Sequence, residues 1–191
     1  VLLGEADIQA AKIHSQAGGY DLLAANRELA GAEVELVQEI AREMRLKNAL
    51  ALVADDYDYI LIDCPPTLTL LTLNGLVAAD GVLVPMVCEY YALEGISDLV
   101  ATVRKIRTAI NAKLGIFGIV RTLYNNQNRL AQDVSAQLQE HFGAQLFATT
   151  IPRNVRLAEA PSHGLPALAY DAKAKGTLAY LELADEVLAR K

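Results

Sequence analysis

An aspartate at the end of an unbroken apolar run is the residue in this chain best placed to do chemistry. Tyr59-Ile60-Leu61-Ile62 leads into Asp63-Cys64-Pro65-Pro66. Neither proline can donate to a ladder or continue a helix interior, so the run ends at the carboxylate. Four bulky residues without a polar break suit a strand covered on both faces, as in a parallel sheet between helices. Ligands of such sheets gather at the carboxyl ends of the strands, which is where this reading puts Asp63. A carboxylate there suits a hard dication with oxygen ligands, such as magnesium held against nucleotide phosphates. An ordinary turn aspartate would look the same, because Asp often opens turns.

Other reactive side chains offer less. Cys64 and Cys88 lie in or beside apolar runs, which suits buried thiols in a reducing cytoplasm better than a disulfide framework. Two cysteines and the scattered His14, His141 and His163 are thin material for a metal or cluster site, and the histidines receive no role. A net charge of −6 and a pI near 5.1 argue against a surface that coats nucleic acid throughout, though a local basic patch stays open. The apolar fraction is 53%, yet no run approaches a membrane span, so buried strands and Ala/Leu-rich helices must absorb it. Val1-Leu2-Leu3-Gly4-Glu5 has neither the basic region nor the long apolar region of a secretory signal, and it reads as cut into mid-element.

Strands and helices must alternate to position Asp63. The pattern predicts a short helix over 8–17 closed by Gly18-Gly19, a brief strand over 20–24, and an amphipathic helix from Glu33 to about Lys47. After the Asp63 strand come a helix over 68–79 and a strand from Gly81 that Pro85 should end or loosen. A helix over 94–110, a strand over 115–120 running toward Tyr124, a helix over 129–142 and a strand over 145–151 follow. Residues 153–164 show no period, 165–170 read as extended, and 177–189 as a last helix. Such alternation implies parallel strands with right-handed crossovers in a single domain spanning 1–191.

A strand ending in Asp-Pro-Pro is compatible with the Walker B element of P-loop nucleotidases. The wider sequence then resembles one family. Tyr57-Asp58-Tyr59-Ile60-Leu61-Ile62-Asp63-Cys64-Pro65-Pro66 looks like the Walker B region of the ParA/Soj chromosome- and plasmid-partitioning ATPases. Tyr20-Asp21-Leu22-Leu23-Ala24-Ala25-Asn26, with Leu29-Ala30-Gly31-Ala32-Glu33 after it, resembles the segment before that region. Val84-Pro85-Met86-Val87-Cys88-Glu89-Tyr90-Tyr91-Ala92-Leu93-Glu94-Gly95 is similar to the family's next strand and loop. Most specific is Ile151-Pro152-Arg153-Asn154-Val155-Arg156-Leu157-Ala158-Glu159-Ala160-Pro161-Ser162-His163-Gly164, with Tyr170-Asp171 beyond it. The likeness covers nearly the whole chain.

The resemblance implies an α/β, three-layer sandwich with a mostly parallel sheet, P-loop nucleotidase-like but lacking its first strand and P-loop. It implies an ATP-dependent homodimer that binds DNA non-specifically, is stimulated by a ParB/Spo0J-like centromere-binding partner, and is cytoplasmic and nucleoid-associated, with no membrane. ATP and magnesium are the implied cofactors, with Asp63 at the metal. Pro152, Arg153 and Asn154 are implied beside the adenine base, and Tyr124 and Asn125 could flank it. Arg156 matches a DNA-contacting arginine of the family. Another such arginine falls on Gln127 here, with Arg129 nearby as a substitute, and Lys173 and Lys175 could join the patch.

No G-x-x-x-x-G-K-[ST] occurs anywhere in the 191 residues, nor does the family's following aspartate motif. A truncated chain is therefore expected, one with negligible ATPase activity of its own because no backbone cradle for the phosphates is present. The alternative function is an inactive module that keeps partner- or DNA-binding surfaces. A MinD-like membrane-cycling relative would need a basic amphipathic C-terminal extension, and an iron–sulfur relative would need cysteines placed to bridge a cluster.

Overall fold

The computed structural model describes residues 1–190, which group into two compact units. The first comprises Val1–Gly81 with Val103–Gly115, and the second Val82–Thr102 with the chain from Ile116 onward.

In the first unit the order is α1 (Ile8–Ala11), β1 (Ile13–Ser15), β2 (Tyr20–Leu22), α2 (Leu29–Leu36), α3 (Arg45–Leu50) and α4 (Leu70–Ala78). The helix expected over 8–17 is thus replaced after one turn by an antiparallel hairpin pairing Ile13 with Leu22 and Ser15 with Tyr20. Gly19 turns it at φ 68°, a conformation that costs glycine little, and donates its N–H to Ser15 O. The long helix expected from Glu33 is also corrected, because it breaks between α2 and α3. Ala41 sits there in left-handed backbone (φ 51°). The break is held from outside by fully buried Asn74 of α4. Its Nδ2 donates to Arg42 O and Leu70 O, and its Oδ1 accepts from Leu46 N–H. Asn111 closes the other end of α4, donating to the carbonyls of Leu76, Val77 and Ala79.

The largest correction concerns the run before Asp63. Residues 57–69 lie outside helix and strand, and Leu61 is 92% exposed. Apolar, β-branched composition does not make a strand by itself; a strand exists through ladder partners and packed faces. The described sheets have the orders β1-β2 and β3-β4-β5, so this run has no ladder of its own.

The second unit is a three-layer sandwich. Its sheet is β3 (Gly81–Val87, lying almost wholly in this unit), β4 (Gly115–Tyr124) and β5 (Leu146–Pro152), in that order, with β4 and β5 parallel. Its helices are the first part of α5 (Ala92–Ala109), then α6 (Arg129–Phe142), α7 (Val155–Glu159), α8 (Ala167–Tyr170) and α9 (Lys175–Ala189). One core joins Val84, Met86, Ile119 and Leu146 to Ile96 of α5 and to Val134 and Leu138 of α6. The other joins Val120, Phe147 and Ile151 to Ala179 and Leu183 of α9. Leu146 and Phe147, adjacent in β5, thus face opposite layers, as strand alternation requires.

Pro85 does not end β3, which continues to Val87. The strand lies at the sheet's edge, the position in a sheet where proline is tolerated because one side of the strand has no ladder to break. Of the residues expected as extended at 165–170, Ala167–Tyr170 instead form α8, and α7 together with a 3₁₀ turn occupies 155–163.

β5 forms the opposite edge and is sealed by α9. Glu186 accepts the N–H of Ala148 at 2.9 Å, and the N–H and hydroxyl of Thr149 at 2.6 and 2.5 Å. Burial alone would raise its pKa, but the Thr149 and Ala148 bonds and nearby Arg190 outweigh it and hold the carboxyl below its ordinary value. Because the folded value is depressed, the stabilisation is complete above the unfolded carboxylate pKa of about 4.3 and is lost as pH falls through the lower folded value. Glu186→Gln should cost about 1–3 kcal/mol at pH 7. Urea denaturation across pH should show the gap to the parent protein closing below about pH 4; a pH-independent gap would contradict the assignment.

Candidate nucleotide site

The residues expected around a nucleotide base come from the carboxyl ends of two parallel strands. Tyr124, the last residue of β4, pairs in register with Pro152, the last of β5. Asn125 and the Arg153-Asn154 pair therefore leave the sheet side by side, at the edge where α/β folds bind ligands. Leu123 just before them has φ 51°, a left-handed backbone that costs a branched side chain on the order of 1–2 kcal/mol. Nothing in the sequence signals it, since leucine does not favour that region.

Local capping fixes both loops. Asn125 Oδ1 accepts from Gln127 N–H at 2.9 Å, and Asn128 caps α6 through Leu130 and Ala131. Asn154 caps α7, its Oδ1 accepting from Arg156 N–H at 2.9 Å and Leu157 N–H at 3.4 Å. The aperiodic stretch thus hid an N-cap asparagine followed by a short helix. Tyr124 is partly buried against the α5/α6 core, with the Arg121 guanidinium 5.6 Å from its ring centroid. Pro152 and Asn154 are half-buried, and Arg153 and Asn125 are exposed.

Among the cations, Arg156 is already engaged. Its guanidinium lies 2.9 Å from Glu159 and 3.5 Å from Asp171, and the Glu159 bond raises its pKa. Arg129, Arg153, Lys173 and Lys175 are exposed and have no carboxylate within 4 Å among the described residues. Gly176 brings the start of α9 against this turn. A Cβ there would lie 2.5 Å from Leu157 Cδ1 and 2.9 Å from Asn154 Cβ, so Lys175 is set beside the Asn154 loop.

Within the first unit, Asp63 is exposed in its irregular segment. The segment is tethered at both ends. Tyr57 OH donates to Asp21 Oδ2 at 2.5 Å, and Asp21 also pairs with His14 at 2.8 Å. The Tyr57 bond, more than His14, draws the Asp21 pKa down. At the far end Thr72 Oγ1 donates to Thr67 O at 2.8 Å. Cys64 Sγ lies against α4 so closely that a Cβ at Gly75 would come within 2.8 Å of it. Cys64 is exposed rather than buried as its apolar neighbourhood suggests, but partial desolvation of its sulfur against α4, with a smaller push from Asp63, raises its pKa, so this thiol stays protonated at neutral pH.

The donor chemistry fits magnesium. No group of three or more His, Cys, Asp or Glu side chains that could hold a metal exists among the described residues. Magnesium needs no such cage: it keeps several waters and takes one or two carboxylates beside phosphate oxygens. The exposed Asp63 carboxylate can serve in that way, and the protonated Cys64 thiol cannot.

Comparison with known proteins agrees with this architecture. A family profile described as an AAA domain matches residues 1–116. An uncharacterized protein of Pseudomonas putida is 58% identical over 191 residues, covering all of this chain and 73% of that protein. The chromosome partitioning protein ParA of Caulobacter vibrioides is 44% identical over 193 residues, covering all of this chain and 72% of that protein. Cobyrinic acid a,c-diamide synthase from Mycobacterium smegmatis, solved with bound ADP and magnesium, superposes with a TM-score of 0.82 at 37% identity. That match covers 98% of this chain and 69% of the synthase. No helix among the described residues is long and apolar enough to cross a membrane.

Proposed function

Because this chain belongs to the ParA/Soj family of chromosome-partitioning ATPases, we propose that it works as an ATP- and magnesium-dependent partitioning protein. Its adenine-side loops are Tyr124-Asn125 and Pro152-Arg153-Asn154, and its magnesium carboxylate is Asp63. The observation that carries the reading is the register of Tyr124 with Pro152, which sets both loops at one carboxyl edge of a parallel sheet. That edge suits a nucleotide base, with a half-buried ring and proline for its faces and amide groups for its polar rim. The solved relative that holds ADP and magnesium supports the same cofactors here.

Exposed cations beside these loops support DNA as the second ligand. Arg129, Lys173 and Lys175 are free to meet phosphates, whereas Arg156 must first leave Glu159 and Asp171. The nucleotide-bound protein acts as a homodimer and meets a ParB-type partner in the cytoplasm, at the nucleoid.

One experiment on the complete protein tests both ligands. 8-Azido-ATP with magnesium should label the 124–125 or 152–154 segment. Arg129→Ala with Lys175→Ala should then weaken DNA binding for all sequences and flatten the salt slope by about 2. Failure to bind nucleotide saturably, or labelling elsewhere, would overturn the nucleotide reading in favour of a binding module without turnover. An unchanged salt slope would remove these cations from the DNA surface.

A further inference from the structure

The segment that carries Asp63 ends where α4 begins, and the first amides of α4 are held by a side chain from well upstream. Glu33 Oε1, on α2, accepts from Leu70 N–H at 2.7 Å and from Leu71 N–H at 3.4 Å. Those are the first two residues of the helix, whose amides have no partner of their own within it. A carboxylate is also favoured there by the positive end of the helix dipole. Thr69 stands at the N-cap and is a residue type that caps well, but its bond to Thr72 N–H is 3.5 Å long. The close acceptor is Glu33.

What α4 holds in turn is the Asp63 segment. Cys64 Sγ packs on α4 at Gly75, and Thr67 O takes the Thr72 hydroxyl. Between them stand Pro65 and Pro66. Each proline fixes its own φ and confines the residue before it to extended backbone. The chain is therefore a stiff strut from Cys64 through Pro66, tied to α4 on either side of that stretch, so the placement of α4 bears directly on the backbone at Asp63.

We propose that Glu33 is a positioning residue for the magnesium site: by clamping the first amides of α4 it fixes the strut on which Asp63 is carried. This rests on the reading of Asp63 as the magnesium carboxylate. Glu33 touches neither metal nor nucleotide, and it acts only through the helix.

The test uses the complete protein and two readouts, the magnesium dependence of fluorescent ATP-analogue binding and amide hydrogen exchange over 63–72. Glu33→Ala and Glu33→Asp should raise the half-saturating magnesium concentration about tenfold, the size of effect seen when supports of a metal ligand are removed. Both should lose exchange protection at Leu70 and Leu71. Glu33→Gln keeps an oxygen that can accept both N–H groups but loses the charge that the helix end favours, so its shift in both readouts should be in the same direction and smaller than that of Glu33→Ala. Where Glu33→Ala fails to fold, Glu33→Asp, which keeps the charge but shortens the reach, decides the matter. Asp63→Asn separates the two claims. If it leaves the magnesium dependence unchanged, the metal reading of Asp63 falls and the role of Glu33 falls with it. If it shifts that dependence while Glu33→Ala and Glu33→Asp do not, Asp63 stands and the positioning role is wrong.

Discussion

Phe147→Ala should lower the stability of the second unit by about 3–5 kcal/mol, the range for truncating a fully buried aromatic. Phe147 has no exposed surface and sits at the centre of the β4/β5/α9 core with Val120, Ile151, Ala179 and Leu183. Backbone packs below it, since a Cβ at Gly118 would strike its ring. From another side the Arg190 guanidinium lies 3.7 Å from the ring centroid, and Phe117 meets it at 6.1 Å in a tilted pair. That guanidinium also donates to the carbonyls of Phe117, Gln145 and Leu146. Removing the ring therefore leaves a cavity and takes away the aromatic face on which a strand-tying arginine rests. Chemical denaturation of the variant and parent is the measurement. A loss under about 1 kcal/mol would mean that the site collapses to fill the hole, or that the core is centred elsewhere.

Phe147 also shows what the sequence could and could not announce. Val120, Phe147 and Ile151 fall in runs that read as buried strands, and they are buried strands. Helices with a strong 3.6-residue stripe were equally legible: 129–142 was expected and Arg129–Phe142 is found. Each of these elements carries its own reason to form, in a period that one face of a core can use. The elements that differ are those whose reason lies elsewhere in the chain. A helix from Glu33 to Lys47 satisfies its own period, and it yields to fully buried Asn74, which takes a carbonyl and an amide from the break. The hairpin over 13–22 turns through Gly19 at positive φ, a glycine that the helical reading of 8–17 takes as a stop signal rather than as the turn between two strands.

The candidate site divides along the same line. Tyr124 and Pro152 end strands that local pattern marks, so their meeting at one sheet edge could be expected from alternating strands and helices. The engagement of Arg156 by Glu159 and Asp171 could not, because one partner stands fifteen residues on, beyond α7 and α8. The α7 cap at Asn154 was readable in principle, as an N-cap residue ahead of Val155 and Leu157, but five residues are too few to show a period. For Asp63, the strand it was expected to end is missing, while the two prolines that were expected to stop that strand acquire a second use as the stiff link to α4.

Asp63→Ala in the complete protein should reduce magnesium-dependent ATP turnover by about 100-fold or more, judged against the 10–100-fold losses that follow removal of mere supports of a metal ligand. Asp63 is the exposed carboxylate of a segment held at both ends, by Tyr57 on Asp21 and by Thr67 on Thr72. A residue so placed can meet a hydrated dication without first breaking a bond inside the protein. A turn aspartate would behave differently. Its loss would lower stability by a few tenths of a kcal/mol to about 1 kcal/mol and leave the magnesium dependence alone. The deciding measurement is therefore a magnesium titration of turnover for Asp63→Ala and Asp63→Asn, with thermal unfolding run alongside. Asp63→Asn keeps the size and a neutral oxygen but removes the charge that holds a hard cation, so both variants should lose turnover together while unfolding near the parent temperature. If turnover falls less than about threefold, well short of the loss expected even for a support of the ligand, the carboxylate serves the fold of the strut and the magnesium ligand must be sought elsewhere.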